Sequence, residues 1–147
     1  MMIAGDVREA TSNADIVRVF PVMQVLRPHI ATVEEFLARV RRQQAQSGWR
    51  LIFVEDEGRP VACAGFRVSE WLAWGKALYV DDLVALESHR GKGFAERLMR
   101  WMIDLAVQEG CREFHLDSGT HRLAAHRFYH RLGLSITSFH FVRKLAP

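Results

Sequence analysis

The feature that most constrains this chain is a strand, a glycine loop and a helix in immediate succession. From about Lys76 to Leu86 the sequence is largely apolar and of strand length. Arg90-Gly91-Lys92-Gly93-Phe94-Ala95 follows, and beyond it Ala95, Leu98, Met99, Met102, Leu105 and Ala106 recur at helical spacing. Glu96, Arg97, Arg100 and Asp104 face the other way, and Gly110 closes the helix. Phe114-His115-Leu116 then returns to strand character. A strand, helix, strand run of this kind implies one right-handed crossover between neighbouring parallel strands.

The remaining segments add antiparallel structure and covering helices. Val7 to Ala10 reads as a short first strand, and Thr11-Ser12-Asn13 can cap a helix that begins near Ala14, kinks at Pro21 and ends before Pro28. Thr32 and Glu35 form a capping box for a second helix, which Gly48 ends. Leu51 to Val54, the turn Asp56-Glu57-Gly58 and Val61 to Phe66 make a hairpin. After the crossover come a helix from His121 to Arg131, stopped by Gly133, and a last strand from Phe139 to Leu145. The expected fold is α/β (α+β): a mixed, mostly antiparallel sheet with one parallel β-α-β crossover, flanked by helices and forming a single domain over 1–147.

Composition narrows the function classes. A chain of 147 residues with 49% hydrophobic and 25% charged residues is of ordinary globular type. No apolar run reaches membrane-spanning length, so no membrane partner is expected. The opening Met1-Met2-Ile3-Ala4-Gly5-Asp6 shows no basic region ahead of an apolar core, so no secretory signal is expected and a cytoplasmic location is. Cys63 and Cys111 stand far apart in no metal or redox pattern. The net charge of +3 comes with 17 arginines among 20 basic residues, an excess that suits an anionic small molecule as well as nucleic acid.

Two elements carry chemistry. Unpaired amides and the helix dipole make the glycine loop a place for phosphate, although glycines also serve tight turns alone. Its spacing fits neither a Walker loop nor a dinucleotide fingerprint. The second element is Asp81-Asp82 inside an apolar strand, where acids are seldom placed without a partner. Alternation puts the two on opposite faces unless a bulge intervenes.

The stretch Asp81 to Ala95, followed by Ala125-His126-Arg127-Phe128-Tyr129-His130-Arg131-Leu132-Gly133-Leu134, resembles the GNAT superfamily of acetyl-CoA-dependent N-acetyltransferases. Arg90, Gly93 and Ala95 match its [QR]-x-x-G-x-[GA] loop. Ala125, Phe128, Tyr129, Gly133 and Leu134 match its A-x-x-F-Y-x-x-x-G-[FL] helix. The resemblance implies that acetyl-CoA is the cosubstrate, that Leu83, Val84 and Ala85 pair with its pantetheine arm, and that the amides of Arg90, Gly91, Lys92, Gly93, Phe94 and Ala95 hold the pyrophosphate. It further implies that Asp81 or Asp82 handles the amine proton and that Tyr129 protonates the departing thiolate. Arg122 stands where many members carry asparagine.

The implied reaction is acetyl transfer to a primary amine of a small molecule by direct attack in a ternary complex, without nucleic acid. The superfamily allows a homodimer. Two other readings stay open: an acyl-CoA-binding sensor without turnover, and acetylation of a protein N-terminus or lysine. No metal is expected, because His126 and His130 have ligand spacing on a helix but lack a third ligand.

Overall fold

The computed structural model describes residues 7–146. The reading of the first six residues as free of a secretory signal lies outside the described residues. Two compact units divide between His115 and Leu116.

The N-terminal unit is built on a sheet in the order β1-β2-β3-β4-β5. Its strands are β1 (Val7–Glu9), β2 (Arg50–Asp56), β3 (Arg59–Trp71), β4 (Gly75–Ala85) and β5 (Glu113–Leu116). The first three pairings are antiparallel, and β5 runs parallel to β4 across the crossover through α3 (Phe94–Gln108), as expected. Glu57 and Gly58, at φ of 51° and 77°, form the two-residue turn of the β2–β3 hairpin. A cluster of rings, Trp71, Trp74, Tyr79 and His115, ties the β3–β4 tip to β5, with Trp74 stacked on His115.

Two helices cover one face of the sheet. α1 (Asn13–Leu26) starts at Ser12, whose hydroxyl accepts from the Asp15 amide, and α2 (Val33–Ser47) starts at Thr32, which does the same for Glu35. Gly48 ends α2 in the left-handed conformation at φ 67°. α1 runs through Pro21, which is exposed, so the carbonyl that proline leaves without a donor can face water. Ile16, Val19, Met23, Phe36 and Val40 pack with Leu51, Phe53 and Cys63 of the sheet, and the Phe20 and Phe36 rings meet at 5.3 Å. On the other face α3 buries Leu98, Met99 and Met102, and its Trp101 meets Phe66 edge-on at 6.2 Å. All four residues from Leu51 to Val54 are therefore fully buried.

The C-terminal unit contains α4 (Leu123–Arg131). The expected strand from Phe139 to Leu145 is not formed: residues 134–146 have neither helix nor strand, and Phe139, Phe141 and Leu145 are exposed. A strand exists through the ladder it joins, and apolar alternation alone supplies none.

Candidate functional site

A bulge decides the position of the two aspartates. Gly65 of β3 pairs with Asp82 and Phe66 with Val80, so Asp81 is the extra residue of β4. Without it the two carboxylates would lie on opposite faces. With it, both line one cavity of about 290 Å³, together with Met23, Arg27, His29, Trp49 and Arg67.

Each aspartate has its own arginine. Arg67 donates from Nε to Asp81 Oδ2 at 2.8 Å and from Nη2 to the same oxygen, and its remaining contacts reach Ser47 Oγ and Gln43 Oε1. Arg27, at the C-terminal cap of α1, donates from Nε to Asp82 Oδ1 at 2.9 Å and from Nη2 to the Asp81 carbonyl at 3.0 Å. Among the described residues, Asp81 Oδ1 and Asp82 Oδ2 have no hydrogen-bond partner. Burial pushes the Asp82 carboxyl above the usual carboxylate range; the Arg27 charge and hydrogen bond pull it back, and Asp81 adds to the rise.

Packing around Asp82 depends on a missing side chain. A Cβ on Gly65 would stand 2.0 Å from the Trp49 ring and 2.8 Å from Asp82 Oδ2, so glycine lets the indole and the carboxylate share that space. Trp49 is 3% exposed, and its indole N–H has no acceptor among the described residues. Cys63, in the neighbouring core, has its thiol pushed far up by burial and by Asp82, which removes it as a nucleophile.

The glycine loop is of a different kind. A 3-10 turn (Glu87–His89) follows β4, and α3 begins after Gly93, whose φ of 88° joins the 76° of Gly91. No side chain caps α3. His89 is held by Asp56 at 2.9 Å and Ser88 at 2.8 Å, which fixes the loop's entry. Among the described residues the amides from Gly91 to Ala95 at the start of α3 have no backbone acceptor, as a phosphate site requires, whereas the Arg90 amide, expected to join them, already donates to the Glu87 carbonyl at 3.3 Å. Leu83, Val84 and Ala85 pair with β3 through one edge. On the other side β5 has four residues against the eleven of β4, so it can pair with only part of that strand.

Tyr129 lies on α4 in the C-terminal unit, beside Phe128 with ring centroids at 5.4 Å. Burial raises its hydroxyl above the ordinary phenol value, and the charge of Arg122 opposes the rise. His126 and His130 make hydrogen bonds with the carbonyls of Gly119 and Leu134. Among the described residues no three His, Cys, Asp or Glu side chains gather as a metal site.

Sequence reasoning missed Arg27, Arg67, Trp49 and Gly65. One signal was available: two acids in an apolar strand need cations nearby, and Arg67 is the first charge after the apolar run of β3.

Comparison with known proteins bears on this geometry. Residues 20–134 match the model of the acetyltransferase (GNAT) family, and the chain belongs to that family. A streptothricin acetyltransferase of Streptomyces lavendulae is 32% identical over 72 residues, 49% of this chain and 38% of that protein. The chain thus matches well under half the length of that curated relative. A protein of Agrobacterium tumefaciens str. C58 described as a candidate acetyltransferase superposes with a TM-score of 0.81 at 27% identity, covering 94% of this chain and 98% of the other. An aminoglycoside N-acetyltransferase solved in complex with CoA has the same fold, with a TM-score of 0.81 at 18% identity over 96% of this chain and 95% of its own. No described helix is long and apolar enough to cross a membrane.

Proposed function

We propose that this protein transfers the acetyl group of acetyl-CoA to a primary amine of a small molecule, by direct attack within a ternary complex in the cytoplasm. The observation that carries the reading is the bulge at Asp81, which gives one cavity two free carboxylate oxygens in an environment balanced by Arg27 and Arg67. An amine attacks only with its lone pair free. A cavity whose anions already have cations favours the neutral amine over the ammonium ion, and Asp82, with its raised affinity for protons, suits the base that receives the proton released on attack. Asp81 then positions the amine through its free oxygen.

Leu83, Val84 and Ala85 would pair with the pantetheine arm. The amides from Gly91 to Ala95 would hold the pyrophosphate, with the positive end of α3 behind them. Tyr129 is assigned the proton that the thiolate takes as it leaves; a phenol kept neutral by burial has that proton to give. Acetyl-CoA supplies the activated acyl group, and the bond that forms is an amide nitrogen to acetyl carbon bond as the thioester bond breaks. The acceptor class is supported by the name of a relative, a streptothricin acetyltransferase.

The test is release of free coenzyme A from acetyl-CoA across a panel of small amines, amino acids and aminophosphonates. Amine-dependent release that falls strongly in Asp82→Asn is expected. Acetyl-CoA binding without release for any amine would leave a sensor, and release only with peptide N-termini or lysines would move the acceptor to protein.

A further inference from the structure

The cavity opens onto a second, shallower hollow of about 410 Å³ lined by Arg39, Arg42, Gln43 and Gln46. Arg39 and Gln43 border both. The four residues stand at i, i+3, i+4 and i+7 of α2 and so share one face of the helix. Inside the cavity the charges pair off, Arg27 with Asp82 and Arg67 with Asp81. At the mouth they do not. Arg42 has no ion pair or hydrogen bond among the described residues, and the only ion pair of Arg39 is a loose one to Glu35 at 3.7 Å. Gln43 accepts from Arg67 with its carbonyl oxygen, which leaves its amide N–H groups for another partner.

The unused hydrogen-bonding groups are thus divided. The free acceptors are the two carboxylate oxygens at the β4 bulge, and the free donors lie at the mouth. A simple amine would satisfy the first set and leave the second in water. We infer that the acceptor is an amine that also carries an anionic group, a carboxylate or a phosphate, and that Arg39 and Arg42 at the pocket mouth bind that group. The inference rests on the transferase reading and adds the class of acceptor to it. Arginine suits this role because its planar fork meets two oxygens of either anion at once.

The test compares three amines of similar length at saturating acetyl-CoA: 4-aminobutyrate, 3-aminopropyl phosphate and pentylamine. In the wild-type protein kcat/KM for an anionic amine is expected to exceed that for pentylamine about tenfold or more, the scale of one charge-assisted contact. In Arg42→Glu that ratio collapses toward one, through KM, while KM for acetyl-CoA holds; Arg39→Gln gives a smaller loss in the same direction. Comparing the two anionic amines assigns the site to carboxylate or phosphate. No preference for anionic amines, or an Arg42→Glu effect equal on all three, overturns the inference. So does an effect on acetyl-CoA alone, which would give these arginines to the coenzyme's own phosphates. Calorimetric binding of 3-aminopropyl phosphate and pentylamine to the CoA-loaded protein separates the two readings. Selective binding without turnover keeps the anion site and removes the transferase, and equal binding removes the anion site whatever the turnover.

Discussion

The glycine loop and the aspartate cavity are built by opposite means. The loop is made of backbone: Gly91 and Gly93 hold φ values of 76° and 88°, a Cβ on either would meet nothing within 4 Å, and the groups offered are amides at a helix start. Its glycines are required by conformation rather than by crowding. The cavity is made of side chains. Asp81, Asp82, Arg27 and Arg67 fix one another, and Gly65 is needed because a neighbouring ring occupies the place of its Cβ. A backbone site serves a ligand that never changes, whereas a side-chain site can be rebuilt for each acceptor. The same contrast predicts how the two should fail.

The largest effect is expected from Gly93→Glu. It forces a left-handed φ on a side chain and sets a negative charge where diphosphate would lie, so acetyl-CoA affinity should drop at least about a hundredfold by calorimetry while the acceptor cavity keeps its ligands. Retained affinity would remove the loop from the cofactor site. Next comes Tyr129→Phe, for which kcat should fall by about 10²-fold, within the range of a lost general acid, with acetyl-CoA binding nearly unchanged. Unaltered kcat would end that assignment.

Asp82→Asn should lower kcat/KM by about tenfold to a hundredfold and change the pH profile. Because burial raises the Asp82 carboxyl, the acidic limb of the wild-type profile should lie above the usual carboxylate range, with activity lost as pH falls through it; the variant should lack that limb. The stability sign is the reverse. Over the interval from the unfolded carboxylate value up to the raised folded one, the native state holds a proton that the unfolded state has lost, so this group's contribution to stability declines as pH rises. Thermal melts of wild type and Asp82→Asn across that interval should show the difference, and parallel melting curves would place Asp82 in water. The smallest effect is Gly65→Ala, which crowds Trp49 and Asp82 and should cost about 1–3 kcal/mol with a matching fall in Tm. A neutral outcome would mean that Trp49 has room to move.

How much of this was legible in the sequence follows from the same division. The helix caps at Ser12 and Thr32, the hairpin turn at Glu57-Gly58 and the crossover through α3 were readable because each is set by residues within a few positions. So was the glycine loop. The bulge was not, since nothing local in Val80-Asp81-Asp82 marks a shift that arises only against Gly65 and Phe66 of β3. Arg27 meets Asp82 across 55 positions, and Trp49 meets Gly65 through a space that only the folded sheet defines. The expected strand at Phe139–Leu145 failed for a related reason, because its alternation describes a face while the ladder it needs is tertiary.

The most direct test of the central claim is initial-rate kinetics of coenzyme A release with acetyl-CoA and the amine varied together. Direct attack in a ternary complex predicts double-reciprocal lines that intersect, and no release of coenzyme A from acetyl-CoA until amine is added. Parallel lines, with a burst of coenzyme A before amine arrives, would mean an acetylated protein intermediate and would contradict the account.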